Sequence, residues 1–258
     1  MASILDRYGI KEVADVTFYK INNDGSRGAP VLFLDTLKVS TIEQTGEQAE
    51  ARGGKGNPPL IIWDYGKEIN VTLEDALFSA KSMAIMFGDG TVDDTTTSPT
   101  DIIKTWAVSL TKVPAATDTF EYGNKTLAYS KLTDVKFYKA DGTEVTPATS
   151  GEQTQTLTDV AFMTAKIPVK EVGVIEISAN SFPGTYYVTG DTYARSETTG
   201  TDEFFQFIIQ KAKVQSENTI TLEAEGDPSV FNMSLRVLRP TDGKMMKLVK
   251  YQVDEAAG

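Results

Sequence analysis

The stretch FNMSLRV, residues 231–237, sets Phe231, Met233, Leu235 and Val237 at every second position, with Asn232, Ser234 and Arg236 between them. Successive side chains of an extended backbone point to opposite sides, so this period of two separates an apolar face from a polar one. A strand buried on one side only is the habit of antiparallel sheets. The same alternation runs through FFQFIIQ (204–210), where Phe205, Phe207 and Ile209 share one face and Phe204, Gln206, Ile208 and Gln210 the other. It returns where Ile220, Leu222 and Ala224 alternate with Thr219, Thr221 and Glu223. Turn-forming residues punctuate these runs at QSEN, EGDPS and PTDGK.

Working towards the N-terminus, strands are expected in EVADVTFYKI (12–21), PVLFLDTLKVSTIE (30–43), PPLIIWDY (58–65), KEINVTL (67–73) and IIKTWAVSLTKV (102–113). Others are expected in KLTDVKFYKA (131–140), TDVAFMTAKIPV (158–169), VGVIEISA (172–179) and GTYYVTG (184–190). The 32 threonines, with Val, Ile, Phe and Tyr, favour pleated and half-buried surfaces. A helical period is read at 74–87, where Ala76, Leu77, Ala80, Met83, Ala84 and Phe87 fall on one face. Thr72 with Asp75 suits a capping box, Glu74 and Asp75 suit the positive end of the helix dipole, and Gly88 suits a left-handed C-terminal residue. The reading is therefore mainly β, antiparallel, with one short flanking α-helix at about 74–87. ADVTFYKINNDGS (14–26) and TDVKFYKADGT (133–143) echo one another, as two hairpins with the same turn chemistry or as a duplicated half-domain.

Composition narrows the chemistry. The 258 residues make one large domain or two small ones, and the net charge of −11 is spread along the chain. Such a chain lacks the clustered Lys and Arg that grip a phosphate backbone. With no Cys and no His, thiol nucleophiles, thiolate or imidazole metal ligands and Ser-His-Asp triads are excluded. Carboxylates occur in several neighbouring pairs (Glu74-Asp75, Asp93-Asp94, Asp202-Glu203), so none stands out as an acid/base dyad. The acidic turns NNDG (22–25) and GDGTVDD (88–94) lack the spacing of a calcium loop. No catalytic, cofactor or metal residue is assigned. MASILDRYGIKEVADV has neither the basic start nor the apolar core of a secretory signal, and no apolar run reaches membrane-spanning length. Synthesis in the cytoplasm, without a membrane anchor, is the expectation. Trp63 and Trp106 lie among aliphatic residues and read as core or interface anchors.

One segment resists a core assignment. TIEQTGEQAEARGGKGNPP (41–59) is rich in Glu and Gly and sits between strong strands. Lys55 is followed by Gly56 rather than Ser or Thr, and Pro58-Pro59 then lead into a strand, so a phosphate-binding loop is rejected. A long extended loop in a compact domain is usually functional, which reads here as an arm that orders against a neighbouring subunit. In that arm Gly53, Gly54 and Gly56 allow close backbone approach, and Pro58-Pro59 stiffen the return.

At this point the sequence resembles a bacteriophage major tail tube protein. The likeness rests on ARGGKGNPPLIIWDYGKEINVTLEDALFSAKSM, SFPGTYYVTGDTYARSETTGTDEFFQFIIQKAKV and ITLEAEGDPSVFNMSLRVLRPTDGKMMKLVKY. It covers about the first 110 and last 85 residues, while the region of about 111–170 is less recognisable and reads as inserted or elaborated. The resemblance implies a single tail tube domain over 1–258, an antiparallel β-sandwich or barrel-like fold, without enzymatic activity. It implies a virion protein that assembles with itself into stacked rings, usually hexameric, whose lumen conducts DNA as passing cargo. It further implies contacts with tape measure, tail terminator and baseplate proteins, and with a sheath in a contractile tail. The subunit interface is expected at Thr45, Glu47, Glu50, Arg52, Gly53, Gly54, Lys55, Gly56, Asn57 and Pro58, with the helix packing Leu77, Met83 and Phe87 on the sheet and turning Lys81 and Ser82 outward. A capsid decoration, baseplate or tail-completion protein, and a carbohydrate- or calcium-binding β-sandwich module, remain open as other readings.

Overall fold

The computed structural model describes residues 7–251, apart from 11, 93–101, 151–153, 170–173, 176, 219 and 221–229. The elements, in chain order, begin with β1 (Tyr8–Ile10), β2 (Asp15–Ile21), β3 (Arg27–Leu34), β4 (Leu37–Arg52), β5 (Pro59–Asp75) and α1 (Ala80–Phe87). The middle of the chain forms β6 (Ile103–Lys112), β7 (Thr119–Tyr122), β8 (Lys125–Ala128), β9 (Thr133–Tyr138), β10 (Glu144–Val145), β11 (Ala148–Ser150) and β12 (Thr154–Lys166). The last part forms β13 (Thr185–Ser196), β14 (Asp202–Val214), β15 (Phe231–Val237) and β16 (Met246–Tyr251). The chain is mainly β and every strand pair is antiparallel. Two compact units arise, residues 1–92 with 175–258, and residues 93–174.

The first unit is built on a nine-stranded sheet in the order β3-β2-β13-β14-β15-β5-β4, with β1 beside β13 and β16 beside β14. It does not close on itself, and β3 and β4 end its main path. A bulge sets its shape. Tyr186 pairs with Ala212 and Val188 with Ile209, so β14 carries one extra residue there. The inward positions change phase across it, from Phe207 and Ile209 to Ala212 and Val214. As a result β14 pairs with β16 over 204–209 and with β15 over 212–214.

The alternation of FNMSLRV is realised as read, with Phe231, Met233, Leu235 and Val237 all buried. Leu235 pairs with Val71 and Met233 with Leu73, and these join Val16, Phe18, Val188 and Ile209 in one apolar core. Each fully buried side chain of this size contributes about 1.5–3 kcal/mol. An exposed ion pair such as Arg195 with Asp202 is screened by solvent and adds little. Apolar burial therefore dominates the unit's stability.

The helix is shorter than its sequence pattern suggested. Glu74 and Asp75 are held in the β5–β15 ladder, opposite Asn232 and Phe231. The Asp75 carboxylate accepts from the Thr36 hydroxyl at 2.6 Å and the Leu77 amide at 3.2 Å, so it anchors a turn rather than capping a helix. Ser79 is the N-cap, in a reciprocal box with Ser82. Ser82, Ala84, Ile85 and Met86 are buried while Leu77 is exposed, so the inward face is rotated from the expected one and Ser82 does not point outward. Gly88 has φ −143°, extended rather than left-handed; Gly90, at φ +83°, takes the left-handed position, and both amides donate to the Ala84 carbonyl.

The second unit pairs β9, β10, β11, β12 and β6 in one sheet and β7 with β8 in a hairpin. Its core gathers Trp106, Phe137, Leu157, Val160 and Met163, and the Trp106 indole donates to the Glu121 carbonyl at 2.6 Å. Trp106 is thus a core anchor. The two echoing segments form the same turn. Gly25 and Gly142 both have φ near +80°, and Asp24 and Asp141 accept from the amides of Ser26 and Thr143. The Ser26 hydroxyl first, and then its amide, hold the Asp24 carboxyl below the usual range, and the Thr143 amide does the same for Asp141. PTDGK repeats the arrangement, Asp242 accepting from the Lys244 amide beside Gly243 at φ +74°, which fits recurrent turn chemistry. Residues 221–224 of the strand expected at 220–224 lie outside the described residues, as do 172, 173 and 176 of the strand expected at 172–179, whose described residues show a single bridge at Val174 in place of a strand.

Gly190 leaves the floor on which the Phe207 ring lies: a Cβ there would come within 2.1 Å of that ring. Gly190→Ala is expected to lower stability by about 1–3 kcal/mol in denaturant titrations, with part of the loss recovered when Phe207→Leu is added.

Candidate interaction surface

β4 and β5 pair along almost their whole length, from Leu37 opposite Asp75 to Arg52 opposite Pro59. The segment 41–59, expected as a loop, is therefore extended but mostly strand: its Glu, Gln and Thr residues alternate across a ladder, and only 53–58 form a tip. The charged and glycine-rich composition that suggested a loop reflects exposure of both faces. Cross-strand pairing satisfies the main-chain groups that face the partner strand, and those on the outer edges are left to water.

The two strands differ in support along their length. β15 covers β5 only from Asn70 to Asp75, so residues 59–69 have β4 as their strand neighbour. From 43 to 50 and from 59 to 67 both faces are exposed. Nine extended residues carry this ribbon about 30 Å from the supported sheet. A bulge marks its root. Thr45 pairs with Glu68 and Glu47 with Tyr65, which leaves an extra residue on β5 at Gly66–Lys67. Gly66 adopts φ +62°, a left-handed conformation costly for a residue with a Cβ.

Directly opposed residues share a face. Ile61 lies opposite Ala51, Trp63 opposite Ala49 and Tyr65 opposite Glu47, which makes one face largely apolar. On the other, Ile62 lies opposite Glu50 and Asp64 opposite Gln48, with the Gln48 amide donating to Asp64 at 2.8 Å. Leu60, Ile61, Ile62, Trp63 and Tyr65 are each half or more exposed, Leu60 at 65% and Trp63 at 52%. At about 200 Å² per large side chain, Ile61, Trp63 and Tyr65 leave roughly 300 Å² of apolar surface on their shared face, a patch of the size that is often functional.

The expected interface residues are distributed along this ribbon. Thr45 sits at its root, Glu47 and Glu50 line β4, and Arg52 closes the ladder opposite Pro59. Glu50 and Arg52 form an ion pair at 2.5 Å. Gly53, Gly54, Lys55, Gly56, Asn57 and Pro58 make the tip, closed by the Gly53 amide donating to the Pro58 carbonyl at 3.2 Å. Gly54, Gly56 and Asn57 all have positive φ there. Sequence reasoning placed its expected contact on the polar half of the hairpin and took PLIIWDY for an ordinary strand, whereas the structure leaves the apolar side chains of that strand exposed. The signal that could have found it is the register: an exposed Glu-rich strand must be paired with something equally exposed.

Elsewhere the polar clusters act as struts. Lys250 lies 2.6 Å from the Glu203 carboxylate and donates to the Tyr8 hydroxyl at 2.5 Å, tying β16 to β14 and β1. Its ammonium pKa is pushed up, first by the Glu203 hydrogen bond. Among the described residues no group of three or more acidic side chains converges as a metal site, and no helix is long and apolar enough to cross a membrane.

A model of the YomU/Tube protein family matches residues 8–250, which takes in the sheet, the ribbon and the second unit. The chain is also 27% identical over 249 residues to a tail tube protein of Bacillus phage SPR, covering 93% of this chain and 87% of that one.

The two tryptophans report separately on ribbon and core. In the free subunit Trp106→Phe is expected to leave a red-shifted, iodide-quenchable emission from Trp63, and Trp63→Phe a blue-shifted, protected emission from Trp106. Equal quenching of the two variants contradicts the exposed ribbon.

Proposed function

The chain belongs to the YomU/Tube protein family, and on that premise we propose that it is the repeating subunit of a phage tail tube. It is a structural component of the virion. Copies assemble with one another into rings, six to a ring in the usual arrangement, and the rings stack into a tube through which the genome passes from capsid to host. Tape measure, tail terminator and baseplate proteins meet this tube, and a sheath does so where the tail contracts.

One observation carries the reading beyond the family: an apolar two-stranded ribbon held away from its own sheet. Two strands alone are marginal in water, and a third layer is needed to make them stable. A neighbouring copy supplies that layer, with Thr45, Glu47, Glu50, Arg52 and the tip 53–58 in the contact. Open sheet edges at β3 and β4 point the same way, since unpaired backbone groups invite a further chain. The net charge of −11 suits a conduit for a polyanion, because an acidic protein without a basic cluster does not retain DNA. Nothing in this role requires catalysis.

Because 48–52 are strand, the informative alteration shortens both sides of the ladder together. Replacing residues 48–64 by a two-residue Asn-Gly turn joins Glu47 to Tyr65 in register. Electron microscopy of the parent protein is expected to show tubes of uniform diameter. The shortened chain is expected to keep the same circular dichroism and thermal midpoint yet form no tubes. Tubes from the shortened chain, or closed oligomers that never elongate from the parent, overturn the proposal.

A further inference from the structure

Between α1 and β13 the chain leaves the first unit, builds the second and returns. In the second unit β6 and β12 are neighbours, with Ile103 opposite Lys166 and Lys104 opposite Ala165. The Ile167 amide donates to the Ile102 carbonyl at 3.1 Å, so the two ends of this unit's sheet stand side by side. In the first unit the ends that flank the departure also meet. A Cβ on Gly90 would come within 3.0 Å of the Tyr186 hydroxyl. Both of these ends are tied down by residues of the first unit itself. The Lys81 ammonium donates to the Gly90 carbonyl, the Lys213 ammonium to the Pro183 carbonyl, and the Val214 amide to the Gly184 carbonyl at 3.2 Å. Adjacent ends in host and guest are what a domain insertion requires, since neither has a gap to bridge.

Between its paired ends the second unit is complete. Its sheet takes all five strands from residues 103–166. Its core gathers Trp106, Phe137, Leu157, Val160, Met163 and Ile167, and so draws on both the first strand and the last, with Met163 fully buried. Roughly 70 residues around one apolar core is a size at which single domains fold unaided. The nine-stranded sheet likewise takes every strand from the first unit. We infer that residues 102–169 are an accessory domain carried in one loop of the first unit, a domain that folds on its own core and that tube assembly does not use. The second half of this rests on the assembly role proposed above, and the first half does not. The ribbon and the open edges at β3 and β4 all belong to the first unit, so the surfaces that carry the assembly role are present without the domain. The loop between Val92 and Ile175 is then a place where the tube subunit accepts any folded insert whose ends are neighbours.

Two variants test this. Met163→Asp puts an unpaired carboxylate into the second core and unfolds it. In that otherwise intact chain, amides of 103–112 and 156–166 are expected to exchange about a hundredfold faster or more, while those of 70–75 and 204–209 keep their parent rates. In the second variant a Gly-Ser-Gly-Ser linker replaces 93–174. Electron microscopy is expected to show tubes from both, and tubes from either support the inference. Faster exchange over 70–75 or 204–209 in Met163→Asp overturns it, because the two units then unfold together. So does a first unit that keeps its parent exchange rates in either variant while neither variant forms tubes. If the parent chain itself forms no tubes, the assembly role fails instead, and the exchange result decides by itself whether the domain folds alone.

Discussion

A β-ladder two strands wide has no interior. The distal half of the β4–β5 hairpin pairs its facing backbone groups across the ladder, but Leu60, Ile61, Ile62, Trp63 and Tyr65 stay in water, with no sheet or helix among the described residues over them. Leaving these side chains exposed forgoes a large stabilisation, because burying each fully would contribute about 1.5–3 kcal/mol. The chain tolerates it because the root of the ribbon is firmly fixed: β5 enters the core at Ile69 and is flanked on both sides from Asn70 to Asp75. The bulge at Gly66 separates supported from unsupported strand and sets the angle at which the ribbon leaves. An element anchored so well and covered so little is suited to ending its exposure against another chain.

That constraint organises the rest of the first unit. The bulge in β14 lets one strand serve β16 along part of its length and β15 along the rest, so that β15 can deliver Leu235 and Met233 to Val71 and Leu73. Asp75 then ends β5 by binding Thr36 and Leu77. Sheet, bulge and turn together make β5 a strut, held over Asn70–Asp75 and displaying exposed apolar side chains along its free end.

Much of this was legible in the residues. The alternation at 231–237 and at 204–210 specified one-sided strands because it has a single structural solution, and the positions read as inward are buried except Phe205, which is half-buried. The segment 74–87 was harder, since Ala76, Leu77, Ala80 and Met83 satisfy a helical period while Glu74 and Asp75 are held by a strand partner far away in sequence. A ladder to β15 outweighs local propensity, and Ser79 with Ser82 gives a weaker capping signal than Thr72 with Asp75 appeared to give. The ribbon shows a deeper limit. PLIIW has the composition of a buried strand and TIEQTGEQAEAR that of a loop, yet they are two sides of one exposed ladder. Composition alone does not say whether an apolar strand is covered by its own chain.

Backbone hydrogen exchange tests this most directly. In the free subunit, amides of 44–51 and 60–65 are expected to exchange far faster than those of 70–75, which are flanked by strands on both sides. On assembly the distal amides are expected to slow by at least tenfold, while 70–75 change little. If 44–51 and 60–65 are already as protected as 70–75 in the free subunit, or exchange equally fast before and after assembly, the ribbon does not need the neighbour on which this account rests.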